Sequence, residues 1–173
     1  SSKKLKRIIL SKEDWILGMV DRSGSYNPEM LEGDKYMIED SYRSNGFINA
    51  KALNVDVVQH PKTGNYDLTY HIFEGDRYVV KSVDAPGNDI LSEEQLKRVI
   101  PIFPGQYYSQ ERIRTALDNL KMLWGEYGYI FADIDPGIDI NEEDKTVAIT
   151  FRADLKDQVK LNRLTITGNK KTR

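Results

Sequence analysis

The chain has 173 residues, with 25 Lys and Arg against 27 Asp and Glu, a formal net charge of −2 and no Cys. This length fits one ordinary domain or two small ones, and a hydrophobic content of 39% favours compact folding over disorder. The near-neutral charge argues against a surface for nucleic-acid phosphates, and the lack of Cys excludes disulfides, Cys-ligated zinc and thiol nucleophiles in this chain.

The N-terminal segment begins with basic residues and contains only one short apolar run, Ile8–Leu10. That run is too short for a signal-peptide core and far below the ~20 apolar residues of a membrane helix. We expect that any targeting signal was removed or was never part of this sequence. Leu5–Ile9 matches Leu96–Ile100 at an offset of 91 residues. This match predicts a first helix at Leu5–Ile9 that belongs to an internal repeat.

The next segment, Tyr26–Ala50, aligns without gaps with Tyr108–Ala132 at an offset of 82 residues. In this alignment Gly46 and Phe47 fall on Gly128 and Tyr129. Because glycine is favoured in the left-handed conformation that follows a helix, we predict that the later copy ends its helix at the glycine and that the aromatic residue then re-enters the core. A further block, Glu74–Asn88, aligns with Leu155–Asn169 at an offset of 81 residues.

Between these blocks, Lys51–Gln59 is predicted to be a strand, and Leu68–Ile72 matches a strand of the second copy. Leu53, Val55 and Val57 alternate with Asn54, Asp56 and Val58, which predicts one apolar face and one mixed face.

The second copy predicts a complete unit. Tyr78–Ala85 alternates as a strand and ends at a turn, in which we expect Gly87 to adopt a positive φ ahead of Asn88. Ser92 and Ser109 precede two predicted helices as N-caps. The first covers Glu93–Ile100, and the second presents one apolar face formed by Ile113, Leu117, Leu120, Trp124 and Tyr127.

Two strands follow, Ile130–Ile134 and Thr146–Ala153, joined by a connection that contains Pro136-Gly137 and the polar turn Asn141–Asp144. We expect Pro136 to interrupt the first of them. The fold class is therefore α+β, with tandem strand-helix-helix-strand-strand modules, each a small mixed sheet covered by two helices.

The predicted domains are a truncated first module over residues 1–76, which lacks its first strand, and a complete module over 77–156. The remaining residues, 157–173, contain Val159–Thr167, the predicted first strand of a following module.

These residues resemble a known family. The glycine-aromatic-x-x-alanine endings at Gly46–Ala50 and Gly128–Ala132, the acidic-glycine element around Gly75, and the Gly-Asn pairs at 87–88 and 168–169 are similar to tandem polypeptide-transport-associated (POTRA) domains. The resemblance is to BamA-type outer-membrane protein assembly factors of Gram-negative bacteria, and best to their third and fourth modules. The motif residues, taken as structural, are Gly46, Phe47, Gly75, Gly87, Asn88, Trp124, Tyr127, Gly128, Tyr129, Gly168 and Asn169.

The resemblance implies a periplasmic location, attachment to a membrane barrel, and a chaperone-like scaffold that helps to insert β-barrel proteins into the outer membrane. It implies no enzymatic activity and no cofactor. The implied mechanism is β-augmentation, in which an unfolded client or a partner lipoprotein adds a strand to an open sheet edge. The resemblance places that edge at Lys51, Ala52, Leu53, Asn54, Val55, Asp56, Val57, Val58 and Gln59, with a secondary edge at Ile130, Phe131, Ala132, Asp133 and Ile134.

Two alternative functions remain. In the first, the modules are those of a two-partner-secretion or autotransporter-assembly pore with one dedicated client. A nucleic-acid-binding module is more distant, since it needs a basic face or exposed stacking aromatics. A separate hypothesis is that, in the isolated fragment, the predicted strand Val159–Thr167 pairs with the sheet of the first module in another copy. His60 and His71 lack a carboxylate cluster at ligand spacing, so we expect no metal site.

Overall fold

The structure is a computed structural model, and it describes residues 28–62, 64–160, 162, 163 and 165. Its elements are, in chain order, α1 (Pro28–Arg43), β1 (Lys51–Gln59), β2 (Tyr66–Phe73), β3 (Val79–Asp84), α2 (Glu93–Arg98), α3 (Gln110–Glu126), β4 (Asp133–Asn141) and β5 (Thr146–Asp154). The predicted helix at Leu5–Ile9, Gly168 and Asn169 lie outside the described residues. Across the described ranges, no helix is long and apolar enough to cross a membrane.

The second module has the predicted order of strand, helix, helix, strand, strand. Its sheet has the order β3-β5-β4, in which β5 is central, parallel to β3 and antiparallel to β4. One apolar cluster joins this sheet to both helices, and its most buried members include Tyr78, Leu120, Trp124 and Ile149. The predicted α+β fold class is confirmed.

Both helices of the second module begin as the sequence predicts. The Ser92 hydroxyl accepts a hydrogen bond from the Gln95 N–H, and the Gln95 side chain accepts one from the Ser92 N–H, so the two form a capping box. The Ser109 hydroxyl accepts a bond from the Arg112 N–H. Helix α2 ends at Arg98, two residues before the predicted end.

The shared motif at the end of α1 and α3 has the same construction in both modules. Gly46 and Gly128 have φ angles of 103° and 86°, a conformation that disfavours any residue with a side chain. The next aromatic residue packs edge-to-face on the last helical turn, with ring centroids 5.7 Å apart for Phe47 on Tyr42 and 6.0 Å apart for Tyr129 on Trp124. The motif is therefore a helix C-cap stabilised by an aromatic pair.

Two predictions about motif residues are wrong. Gly87 does not adopt a positive φ; glycine is needed there because a Cβ atom would lie 2.6 Å from the Glu93 nitrogen. Tyr127 is the C-cap residue of α3 and is 40% exposed, so its side chain does not extend the buried face of the helix.

The first module, as described, consists of α1 packed on the antiparallel pair β1–β2. Asp34 of α1 is fully buried and accepts a hydrogen bond of 2.6 Å from the Tyr70 hydroxyl of β2. Asp34 occupies the position that Ala116 holds in α3, which is also fully buried. A buried carboxylate needs polar partners, so the Tyr70 hydroxyl ties the helix to the strand pair.

We expect Tyr70→Phe to lower the free energy of unfolding of the first module by about 1–3 kcal/mol, because the Asp34 carboxylate stays buried with one hydrogen bond fewer. Urea denaturation followed by amide resonances of β1 and β2 measures the loss. Tyr36→Phe is the control, since Tyr36 lies on the same helix and is exposed. An equal effect of both substitutions would contradict the prediction.

Candidate functional site: the outer edge of the first sheet

Strand β1 spans Lys51–Gln59, the range predicted from the sequence. It pairs with β2 on one side, and within the described residues no strand pairs with its other side. The Ala52 N–H donates to the Glu39 carboxylate, and the outward N–H and C=O groups of Asn54–Gln59 are those that an added strand would pair with. By the repeat alignment, β1 corresponds to β4 and β2 corresponds to the central strand β5, so β1 is the edge strand of the module topology.

A bulge divides β1 into two parts. Ala52 pairs with Ile72 and Asn54 pairs with His71, so Leu53 has no opposite residue. The predicted apolar face of Leu53, Val55 and Val57 is wrong at its first member, because one extra residue reverses the facing of the residues before it. Leu53 is accordingly 62% exposed.

The regular part of the edge is the six residues Asn54–Gln59, each of which has one partner on β2. Two side-chain pairs hold this register. The His71 ring nitrogen lies 2.6 Å from an Asp56 carboxylate oxygen, and the His60 ring nitrogen lies 2.8 Å from Asp67. Val57 and Val58 are exposed between these pairs. The edge is thus an ordered template with apolar side chains on both faces.

The predicted secondary edge, Ile130–Ile134, is only partly correct. Ile130, Phe131 and Ala132 precede the strand, and β4 begins at Asp133 and continues through Pro136 to Asn141. Pro136 does not interrupt the strand but pairs with Phe151. Proline is compatible with an edge strand, where one side makes no ladder bonds, and among the described residues β4 pairs with β5 alone.

The strand edges of the second module are less suitable for strand addition. The outer side of β3 is covered by the loop that precedes α3, through hydrogen bonds between Val80 and Gln106 and between Tyr108 and Tyr78. Strand β4 is open but contains Pro136 and three aspartates, Asp133, Asp135 and Asp139. A missing N–H and like charges both disfavour pairing with a further strand.

The linker between the modules, residues 74–78 between β2 and β3, is held by several contacts. The Tyr42 hydroxyl donates to Glu74, and burial together with this carboxylate raises the pKa of Tyr42, so the hydroxyl keeps its proton. Asp76 forms an ion pair of 2.7 Å with Lys145. The Tyr78 N–H donates to the Gly46 carbonyl over 2.9 Å.

Contacts between the helices add to those of the linker, and together they form what we call the seam between the modules. The Nη1 and Nη2 atoms of Arg114 each donate to one oxygen of the Asp40 carboxylate at 2.8 Å, and these bonds raise the pKa of Arg114. Ile48 of the first module packs against the apolar cluster of the second. Sequence analysis did not predict these contacts, since the charged residues involved lie in positions that are typical of solvent-exposed helix faces.

The remaining predicted features have structural roles or lie partly outside the described residues. Gly75 has a φ of 70° within the linker. The Asn88 side chain accepts hydrogen bonds from the N–H groups of Ile90 and Leu91. Of Val159–Thr167, the structure describes residues 159, 160, 162, 163 and 165, and none of these is in a strand. No group of three His, Asp or Glu residues that could hold a metal ion occurs in the described ranges.

The sequence matches one protein-family model twice. The model is POTRA, described as a surface antigen variable number repeat, and it covers residues 1–75 and 78–154. The chain is 27% identical over 150 residues to the outer membrane protein assembly factor BamA of Buchnera aphidicola, covering 86% of this chain and 24% of the relative. It is 25% identical over 174 residues to BamA of Neisseria meningitidis, covering 100% of this chain and 22% of the relative. The chain therefore spans less than a quarter of the length of these relatives.

Solved structures share the fold. The crystal structure of Haemophilus influenzae BamA POTRA3-5 superposes with a TM-score of 0.72 at 22% identity, covering 100% of this chain and 68% of that one. BamA from Haemophilus ducreyi lacking POTRA domains 1-3 gives a TM-score of 0.61 at 14% identity, covering 84% of this chain and 28% of that one. The first of these structures includes the third and fourth modules that the sequence resembles.

Proposed function

Since the chain belongs to the POTRA family, we propose that it forms part of a periplasmic scaffold that assists the assembly of β-barrel proteins into the outer membrane. Its relatives in Buchnera aphidicola and Neisseria meningitidis are outer membrane protein assembly factors, which supports this assignment. Within the scaffold, β1 binds unfolded clients or partner lipoproteins by β-augmentation. The role is one of binding and positioning, with no chemical step and no cofactor.

One observation carries the proposal: the regular outer edge Asn54–Gln59, which has no strand partner among the described residues on its outer side. An added strand gains main-chain hydrogen bonds, each with a net worth of about 0.5–1.5 kcal/mol. These bonds do not depend on side-chain identity, so one edge accepts many sequences. The bulge at Leu53 limits the uninterrupted template to these six residues.

A comparison with the outer edges of β3 and β4 favours β1. The edge of β3 is covered by Gln106 and Tyr108, and β4 carries Pro136 and aspartates. β1 has Asp56 as its only acidic residue, and that carboxylate is paired with His71. A client strand therefore meets fewer unfavourable charges and no missing donor on β1.

The test is a titration of the isotope-labelled chain with a peptide taken from an outer-membrane β-strand, at two salt concentrations. We expect amide shifts concentrated at Asn54–Gln59 that are insensitive to salt, because the contacts are main-chain hydrogen bonds. A further peptide with the same sequence carries an N-methyl group on every residue, which removes the N–H groups from both of its edges and should abolish binding. Unchanged binding of this peptide would overturn the proposal.

A further inference from the structure

A polar cleft lies between the two modules, away from β1. Its volume is about 300 Å³, and it is lined by Ser44 and Asn45 at the end of α1, by Arg77 of the linker, and by Gln106, Ser109 and Arg112 of the second module. Residues of both modules therefore form the cleft, which exists only when the seam is in place. No acidic residue is among those that line it.

The two arginines of the cleft form no ion pair with any described residue. This contrasts with Arg43 and Arg114 nearby, which pair with Glu39 and Asp40. Arg77 and Arg112 thus bring two positive charges to one cleft without a carboxylate to balance them. Such an arrangement attracts an anion.

Arg77 is already fixed in position. Its Nε donates to the Asn45 carbonyl over 2.8 Å, and its guanidinium carbon lies 3.3 Å from the centroid of the Tyr107 ring. The Phe47 ring centroid lies 5.7 Å away. Because the aromatic ring occupies one face of the guanidinium, its Nη groups remain as an edge of donors. These contacts order the long Arg77 side chain before any ligand binds, so binding costs less conformational entropy.

The other polar groups of the cleft also have hydrogens to donate. The Ser44 hydroxyl oxygen accepts from the Glu111 N–H, and the Ser109 hydroxyl oxygen accepts from the Arg112 N–H. Each hydroxyl therefore has its own hydrogen left to donate. Arg112 uses one Nη1 bond on Gln106 over 2.7 Å and keeps further N–H groups. The cleft is consequently rich in donors, as an oxyanion site requires.

We propose that this cleft binds a carboxylate side chain, Asp or Glu, of a partner polypeptide. A planar carboxylate matches the donor edge of a stacked guanidinium, because its two oxygens accept two parallel hydrogen bonds in one plane. The second guanidinium and the two serine hydroxyls supply the remaining donors. The site recognises charge and shape, whereas β1 recognises an extended backbone, so the two sites read different features of a partner.

The experiment titrates the labelled chain with the peptide acetyl-Gly-Gly-Glu-Gly-Gly-amide and with its Gln counterpart. We expect saturable shifts at the amides of Ser44, Asn45, Tyr107 and Glu111 with the Glu peptide, and none with the Gln peptide. Arg112→Gln should weaken binding by about tenfold or more, because a charge-assisted hydrogen bond is lost. Arg98→Gln removes the same charge from an exposed position on α2 outside the cleft and should leave binding unchanged.

Several results would overturn the assignment. Arg77→Gln is a second variant, and its peptide binding is interpreted only if the amide resonances at the contacts between the modules are unchanged. Arg112→Gln needs no such condition, because Arg112 is not part of the stack of Arg77 on Tyr107. Equal weakening by Arg98→Gln would show that the attraction is unspecific. Inorganic phosphate that binds more tightly than the Glu peptide, with the same sensitivity to Arg112→Gln, would reassign the cleft to phosphate. Shifts confined to Asn54–Gln59, or no saturable shift, would remove the cleft as a site. None of these outcomes contradicts strand addition at β1.

Discussion

Trp124→Ala is expected to destabilise the second module strongly while the first keeps its structure. Trp124 is 1% exposed and packs edge-to-face on Tyr129 in the centre of the apolar cluster. Removing a buried tryptophan costs about 3–5 kcal/mol. A module of this size has a total stability of about 4–12 kcal/mol, since folded proteins have about 0.05–0.15 kcal/mol per residue. The substitution therefore removes a large part of the stability of the second module.

Urea denaturation followed by amide resonances of β5 and of β1 separates the two modules. We expect the β5 transition to move to much lower urea and the β1 transition to change little. Trp124→Phe is the matched control, because it keeps an aromatic ring against Tyr129 and should cost less than alanine. Equal losses at β1 and β5 would show instead that the two modules unfold as one cooperative unit.

The second large effect is expected from proline in β1. Neighbouring residues of a strand direct their N–H groups to opposite sides, so of Val57 and Val58 one N–H faces β2 and the other faces outward. Proline at the outward position should leave the β1–β2 pairing intact and weaken binding of a client strand by about tenfold, because a hydrogen bond is lost and the ring lies where the added backbone must approach.

The pair Val57→Pro and Val58→Pro provides its own control. The substitution that faces β2 should disturb the cross-strand resonances of Leu68 or Asp67, the partners of these residues, and so identifies itself. The other variant, with a native-like spectrum, is then used in the peptide titration. Unchanged peptide binding by that variant would exclude strand addition along Asn54–Gln59.

The elements that local signals determine were predicted well. The ends of β1 were predicted correctly from the alternation of its residues and from the glycine motif that precedes it. Ser92 and Ser109 cap helices because their side chains accept hydrogen bonds from nearby N–H groups. The internal repeat predicted the module order, since both copies must satisfy the same packing.

The errors arose where neighbours in space decide the outcome. Pro136 lies within β4 because only one side of that strand is paired, which no local pattern shows. The bulge at Leu53 changes which residues face α1, and the alternation of apolar residues alone predicted a regular strand. The cleft of Arg77 and Arg112 depends on how one module lies against the other, so its residues gave no signal in either repeat.

The hydrogen bond from Tyr78 to the Gly46 carbonyl has a counterpart in the bond from Val159 to the Gly128 carbonyl, at 2.8 Å. Each unit thus has its own hydrogen-bond acceptor for the next unit at the end of its second helix. A gene duplication that copies a unit also copies this contact, so an array of such units can lengthen or shorten without a new surface having to evolve. Excising residues 47–128 would join Gly46 directly to Tyr129, with equivalent residues on either side of the splice.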